Sequence, residues 1–292
     1  MTAARIGFVG LGLMGQGFTR RLLETGHHVV GFDIDATKVK AAAKLGVTPA
    51  TSAAEVAKSS DVILVSVIDT NAVEDVALGS DSVIAAGTLD GKILVDHSTT
   101  ELAATMRIAT ALQERGAQFA DAPVSGGPAA AETGTLAIMA GGADVTIAAI
   151  APIMAHLGKM THMGGVGTGQ ATKLVNQTLV LTNYCILAEA LRLAEAHGVE
   201  TGKIPEALAT GHAGSNLLPV AFPRMIEEDF APRGYARQVL KDLEMLQAAA
   251  RTHHLPMPMA SQALTLYRLL VASGKSELDA AAVVSLYPKT AA

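Results

Sequence analysis

An α/β domain with a parallel sheet, followed by an all-helical domain built on one long helix, is the fold class predicted for this 292-residue chain. Three features predict it. Strand-like apolar runs alternate with helical patterns through the first half, as βαβ units require. A Gly-x-Gly-x-x-Gly spacing joins the first strand to the first helix. Beyond about residue 165 nothing reads as a strand, and residues 170–197 run without a Gly or Pro.

Ile6 to Val9 form the first strand. Gly10 allows the tight turn out of it, and Gly12 lets the backbone approach a pyrophosphate. Gly15 lets the following helix (Phe18, Leu22, Leu23) pack on the strand, so that its first N–H groups point at the phosphate. Leu11, Leu13 and Met14 complete this cofactor-binding turn. A second strand, His28 to Phe32, ends in Asp33, 18 residues after Gly15, placed to accept hydrogen bonds from the adenosine ribose. Asp33 and Asp35 repel a 2′-phosphate, no Arg lies in this stretch, and the nearest cation is Lys38. The expected cofactor is therefore NAD rather than NADP.

Further strands are expected at 62–67, 93–96 and 117–121, separated by helices at 36–45, 53–58, 71–78 and 101–115. A sixth strand over Leu136 to Ala140 precedes a helix from Asp144 to Leu157. Together these make a dinucleotide-binding domain of Rossmann type over residues 1–164. Gly164 to Gly169 is a loop. The helix from Gln170 to His197 then spans about 40 Å at 1.5 Å per residue. It is the spine of a helical substrate and oligomerisation domain over 165–292, with helices at 203–210, 215–228, 235–253, 258–273 and 279–286.

Composition narrows the function. A net charge of −5 and 3% aromatic residues leave neither a basic face nor stacking platforms for nucleic acid. The single cysteine, Cys185, excludes an intrachain disulfide framework and fits a reducing, cytoplasmic setting. It lies in an apolar helical stretch and reads as a buried, inert thiol. The nine histidines show no zinc-ligand spacing, so no metal is expected. No apolar run reaches membrane-spanning length, and the stretch after Arg5 lacks the cleavage site of a signal peptide.

Five segments resemble, in order, the motifs of the β-hydroxyacid dehydrogenases, a family that includes 3-hydroxyisobutyrate dehydrogenase and tartronate semialdehyde reductase. The cofactor motif is Gly7-Phe-Val-Gly-Leu-Gly-Leu-Met-Gly15. The substrate motif is Asp121-Ala-Pro-Val-Ser-Gly-Gly-Pro128, continuing through Gly134-Thr-Leu to Gly141-Gly142. The catalytic motif is Gly167-Thr-Gly-Gln-Ala-Thr-Lys-Leu-Val-Asn176, and Asp96-His-Ser-Thr99 and Lys241-Asp242-Leu243 are smaller matches. The resemblance implies NAD(P)-linked oxidation of small 3-hydroxyacids, or reduction of the corresponding semialdehydes. It places the substrate carboxylate at Ser125, Gly126 and Gly127, and Lys241 near cofactor and substrate. It sets Val67, Ile68 and Asn71 against the cofactor and Thr99 beside the nicotinamide ribose. Ile68 departs from the family, where a proline is common. The family's dimers and tetramers imply a homodimer or homotetramer. Alternatives are an imine reductase-like enzyme, whose relatives lack the helix lysine, and a catalytically inactive cofactor-binding protein.

The chemistry also follows from residue types. Hydride transfer to an aldehyde leaves an alkoxide, so the site needs a proton donor at the carbonyl oxygen, and the same group is the base in reverse. Lys173 stands on the first turns of the long helix among Leu174 and Val175, where desolvation lowers an amine's pKa. Asn176 shares its face and orients the ammonium or the substrate hydroxyl; Gln177 has a weaker claim. Two adjacent glycines after Ser125 offer backbone N–H groups to a carboxylate. Lys241 has a lesser reading as a solvated lysine paired with Asp242 or Glu244, and His97 reads as a structural histidine at a strand end rather than a catalytic one. Asn216 is a candidate substrate contact, in a segment that helix capping by Ser215 explains equally well.

Overall fold

The computed structural model describes residues 4–289. In chain order it contains β1 (Ile6–Val9), α1 (Leu13–Glu24), β2 (Val29–Phe32), α2 (Ala36–Lys44), β3 (Thr48–Pro49), α3 (Ala53–Ser59), β4 (Val62–Val65) and α4 (Thr70–Leu78). There follow β5 (Ile93–Asp96), α5 (Leu102–Gln113), β6 (Gln118–Asp121), β7 (Val124–Ser125), α6 (Gly127–Thr133), β8 (Leu136–Gly142), α7 (Asp144–Leu157) and β9 (Gly158–Gly164). The sheet order is β3-β2-β1-β4-β5-β6-β8-β7, with β9 paired to β8.

The strands β1, β4 and β5 are buried along their whole length, as parallel strands covered on both faces must be. Their residues alternate between two cores. Phe8, Leu64 and Val95 join Phe18 and Leu22 on one face. Val9, Ile63, Val65 and Leu94 join Ile108 and Leu112 on the other.

Three features depart from the expected sheet. The strand β8 runs antiparallel to β6 and β7, because the short helix α6 turns the chain straight back along β7. This helix, which the sequence pattern does not announce, begins at the second glycine of the pair, and Pro128 in its first turn is the starting signal. The strand β9 carries no apolar alternation and is mostly exposed, so hydropathy does not reveal it.

Long helix α8 covers Thr168–Ala196, 29 residues and about 43 Å. It is followed by α9 (Ile204–Leu208), α10 (Leu218–Glu227), α11 (Ala236–Thr252) and α12 (Pro258–Ala272), and Ala280–Leu286 is 3-10 rather than α-helical. The chain divides into two units after Lys173. That division falls within α8 and beyond the loop at 164–165, because the first turn of α8 packs on strand backbone. A Cβ on Gly169 would lie 2.5 Å from Met139 O. The second unit has its own core, in which Leu181, Ala188 and Leu191 of α8 meet Phe222, Leu243 and Tyr267. No helix among the described residues is long and apolar enough to cross a membrane.

Candidate active site

At the end of β1 the backbone turns through Gly10 at φ 97°, and a Cβ there would sit 2.1 Å from Ser66 O. A Cβ on Gly15 would sit 1.9 Å from Gly10 O, so α1 presses directly on the turn. Gly12 differs, because a Cβ on it would meet nothing within 4 Å. It is the N-cap of α1, and no side chain caps this helix. The N–H groups of Leu13, Met14 and Gly15 in the first turn have no intrahelical acceptor and suit an anionic ligand.

Asp33 closes the turn from β2. One carboxylate oxygen accepts from Leu11 N at 2.7 Å, the other from Asp35 N at 2.9 Å, and Lys38 Nζ lies 3.7 Å away. Val67, which follows β4, donates its N–H to Ser98 Oγ, and Ile68 is exposed. Asn71 is exposed in the first turn of α4, and Thr99 is half-buried just beyond β5. An open glycine face, an uncapped helix start and a carboxylate at the end of the next strand fit a dinucleotide.

Lys173 is buried at 8% exposure, and its Nζ donates to Val124 O at 2.8 Å. The sequence brings this about simply. Val124 directly precedes Ser125, and a helical lysine points back toward the N-terminal end of its helix. Gly126 (φ 132°) and Gly127 (φ 73°) then turn the chain into α6, and a Cβ on Gly127 would meet only open space. An amine, a hydroxyl and an open glycine backbone therefore share one short stretch.

Asp121, Gln170 and Asp96 are polar residues whose role the sequence reading missed. All three lie within quoted motifs, yet only the packing shows them buried and bonded together. Asp121 accepts from Gly167 N and Gln170 N at 2.7 and 2.8 Å. Burial pushes its carboxyl up to about 6, against the pull of those two N–H groups, and neighbouring Asp96 adds to the rise. His97 plays a structural part: its Nδ1 donates to Ala122 O at 2.7 Å and its ring stacks on Phe18. Burial lowers its pKa to about 4, so the ring is neutral.

In the second unit, Asn176 Nδ2 donates to Gln177 Oε1 at 2.9 Å, and Gln177 Nε2 donates to Asp242. The other oxygen of Asp242 pairs with Lys241 Nζ at 3.1 Å. Asn176 follows Lys173 by one turn of α8. Ser215 Oγ accepts from Leu218 N, the first residue of α10, at 3.1 Å. The exposed Asn216 lines a hollow of about 600 Å³ with Pro205, Glu206 and Pro219.

Residues 5–165 match the model for the NAD binding domain of 6-phosphogluconate dehydrogenase. Residues 167–287 match the model for the NAD-binding region of NADP-dependent 3-hydroxyisobutyrate dehydrogenase. The 2-hydroxy-3-oxopropionate reductase of Escherichia coli is 35% identical, over 96% of this chain and 96% of its own. A probable 3-hydroxyisobutyrate dehydrogenase-like protein of Arabidopsis thaliana is 34% identical, over 97% of this chain and 86% of its own. Among solved structures, a 3-hydroxyisobutyrate dehydrogenase from Salmonella typhimurium superposes with a TM-score of 0.89 at 26% identity. That match covers 98% of this chain and all of the other.

Proposed function

The chain belongs to the β-hydroxyacid dehydrogenase family and uses a nicotinamide cofactor; from that premise we propose that it interconverts a small 3-hydroxyacid and its semialdehyde with NAD, Lys173 carrying the proton. Substrates of this class include 3-hydroxyisobutyrate and the glycerate/tartronate semialdehyde pair. The observation that carries the reading is the buried Lys173 amine at Val124 O, beside Ser125, Gly126 and Gly127.

The nicotinamide, once bound, supplies the hydride acceptor or donor. In oxidation, neutral Lys173 takes the hydroxyl proton as the carbon loses its hydride; in reduction its ammonium returns that proton to the carbonyl oxygen. Ser125 Oγ and the backbone N–H groups of Gly126 and Gly127 bind the substrate carboxylate. Asn176, one turn beyond Lys173, orients the transferred proton. Gly10 to Gly15 and Asp33 hold the adenosine half of the cofactor, Val67, Ile68 and Asn71 flank it, and Thr99 and Lys241 serve the nicotinamide end. Two acids at the end of β2, Asp33 and Asp35, favour NAD over NADP.

Assembly as a homodimer or homotetramer is part of this proposal, and α8 supports it by exposing Val175, Leu179, Ile186 and Leu193 along one face. The single cysteine, a buried thiol, suits a cytoplasmic setting. The deciding experiment is a panel of C3–C5 3-hydroxyacids assayed with NAD and with NADP. At least one is expected to be oxidised with a higher kcat/KM for NAD. Absence of turnover across the panel, in both directions, would overturn the reading.

A further inference from the structure

We propose that Asp121 is a positioning residue: its carboxylate clamps the start of α8 so that Lys173 Nζ is held at Val124 O. The proposal rests on Lys173 being the proton carrier.

Asp121 ends β6 and is fully buried. Its two oxygens take the N–H groups of Gly167 and Gln170, which a helix start leaves without intrahelical acceptors. The acid lies 46 residues before Gly167 in the chain, so this cap fixes the helix to the sheet as well as closing its end. The negative carboxylate also faces the positive end of the helix dipole. Backbone closes around it from two sides. A Cβ on Gly141 would lie 2.7 Å from one Asp121 oxygen, and a Cβ on Gly169 2.8 Å from the other. These two glycines serve the clamp.

Gln170 prevents the helix from turning in its seat. Its Oε1 accepts from Thr100 N at 3.1 Å, and its Nε2 donates to Ser98 O at 2.8 Å and lies 3.5 Å from Asp96. Asp96 in turn accepts from Ser98 N and Thr100 Oγ1. Lys173 is one turn beyond Gln170, and its acceptor Val124 is three residues beyond Asp121. The clamp and the proton carrier therefore span the same short bridge between β6 and α8. A misplacement of about 1 Å at such a point can cost about a hundredfold in rate.

The clamp needs an anion. A protonated carboxyl would turn a donor toward one of the two N–H groups and release it. Among the described residues, the ionisable groups on the elements packed here are Asp96 of β5, neutral His97 just beyond it, Lys173 of α8, and His162 of β9, which bonds Gly142 O and Gly164 O. With the Asp121 carboxyl raised to about 6 by burial, release falls in an accessible pH range.

The test measures semialdehyde reduction with NADH, because ammonium is then the working form of Lys173 and its own titration adds no acid limb. For Asp121→Asn, kcat is expected to fall about 10–100-fold, with the KM for NADH within twofold of wild type. Wild-type kcat should decline below a pH near 6, and that limb should be absent from the variant. If Asp121→Asn does not fold, Gln170→Leu is measured in its place. It should lower kcat at least threefold at unchanged KM for NADH, with wild type keeping its acid limb. A near wild-type kcat in the variant assayed, or a wild-type profile lacking the limb, overturns the proposal. Lys173→Ala is run beside them: if it keeps its turnover, the proton-carrier reading fails instead.

Discussion

Replacing Lys173 with Met tests the proton transfer while disturbing little else. Methionine nearly matches the length of the lysine stem, so the buried path toward Val124 stays filled. The variant removes the amine and leaves Val124 O without this donor. An unsatisfied buried carbonyl costs about 1–3 kcal/mol, which for units of this size lowers Tm by less than about 12 °C. The catalytic effect is larger. A positioned proton-transfer group is worth about 10²–10⁴ in rate, or about 2.7–5.4 kcal/mol of barrier at 1.36 kcal/mol per tenfold. NADH affinity should hold within a few-fold, because Gly12 caps the start of α1, Gly15 stands in its first turn and Asp33 lies just beyond β2. Substrate KM should change less than kcat, since Ser125, Gly126 and Gly127 remain. Initial rates followed by NADH absorbance in both directions, with fluorescence titration of NADH, measure all three quantities. The acid limb of the oxidation profile should also vanish, because it reports a lysine protonated and unable to act as base. A Lys173→Met enzyme with more than about a tenth of wild-type kcat would refute Lys173 as the proton carrier.

Much of this architecture is legible because its determinants are local. Gly10, Gly12 and Gly15 declare their turn by spacing, the apolar runs of β4 and β5 declare strands covered on both faces, and the unbroken stretch after Gln170 declares α8. Lys173 is identifiable for the same reason, since its motif is contiguous. Asp121 is different. Its sequence neighbourhood identifies a motif, whereas its function depends on Gly167 and Gln170 arriving from elsewhere in the chain. The antiparallel direction of β8 is likewise set by its pairing with β6 and β7, and the exposed strand β9 is set by its pairing with β8 and leaves no hydrophobic period to read. Lys241 offered two sequence readings; the structure shows its pairing with Asp242, which also binds Gln177.

Asp33→Ser, which removes the acid that would repel a 2′-phosphate, should raise the kcat/KM ratio of NADP to NAD at least tenfold; a wild-type enzyme preferring NADP would contradict the role of Asp33. Light scattering at micromolar concentration should give an oligomer for wild type and a smaller species for Leu179→Glu, and a monomeric wild type would defeat the assembly drawn from α8. Burial holds His97 neutral to about pH 4, so unfolding below pH 6.5 lets it bind a proton that the fold denies it. Its contribution is complete above pH 6.5 and declines by at most about 3 kcal/mol toward pH 4. Asp121, raised to about 6, acts with the opposite sign. His97→Asn, whose amide can still donate to Ala122 O, should therefore gain stability relative to wild type as pH falls from 7 to 4 in urea unfolding. A constant difference across that range would refute the assignment. The last prediction separates two glycines of one motif. A Cβ on Gly15 would lie 1.9 Å from Gly10 O, so Gly15→Ala must push α1 off the turn and should lower Tm sharply. A Cβ on Gly12 meets nothing within 4 Å, and its φ of −74° suits alanine, so Gly12→Ala should lose only a modest N-cap preference, about 1 kcal/mol at most. The added methyl occupies the face offered to the pyrophosphate, and NADH affinity should fall at least tenfold while the fold survives. A Gly12→Ala protein that binds NADH as tightly as wild type would show that this open face is not where the cofactor lies.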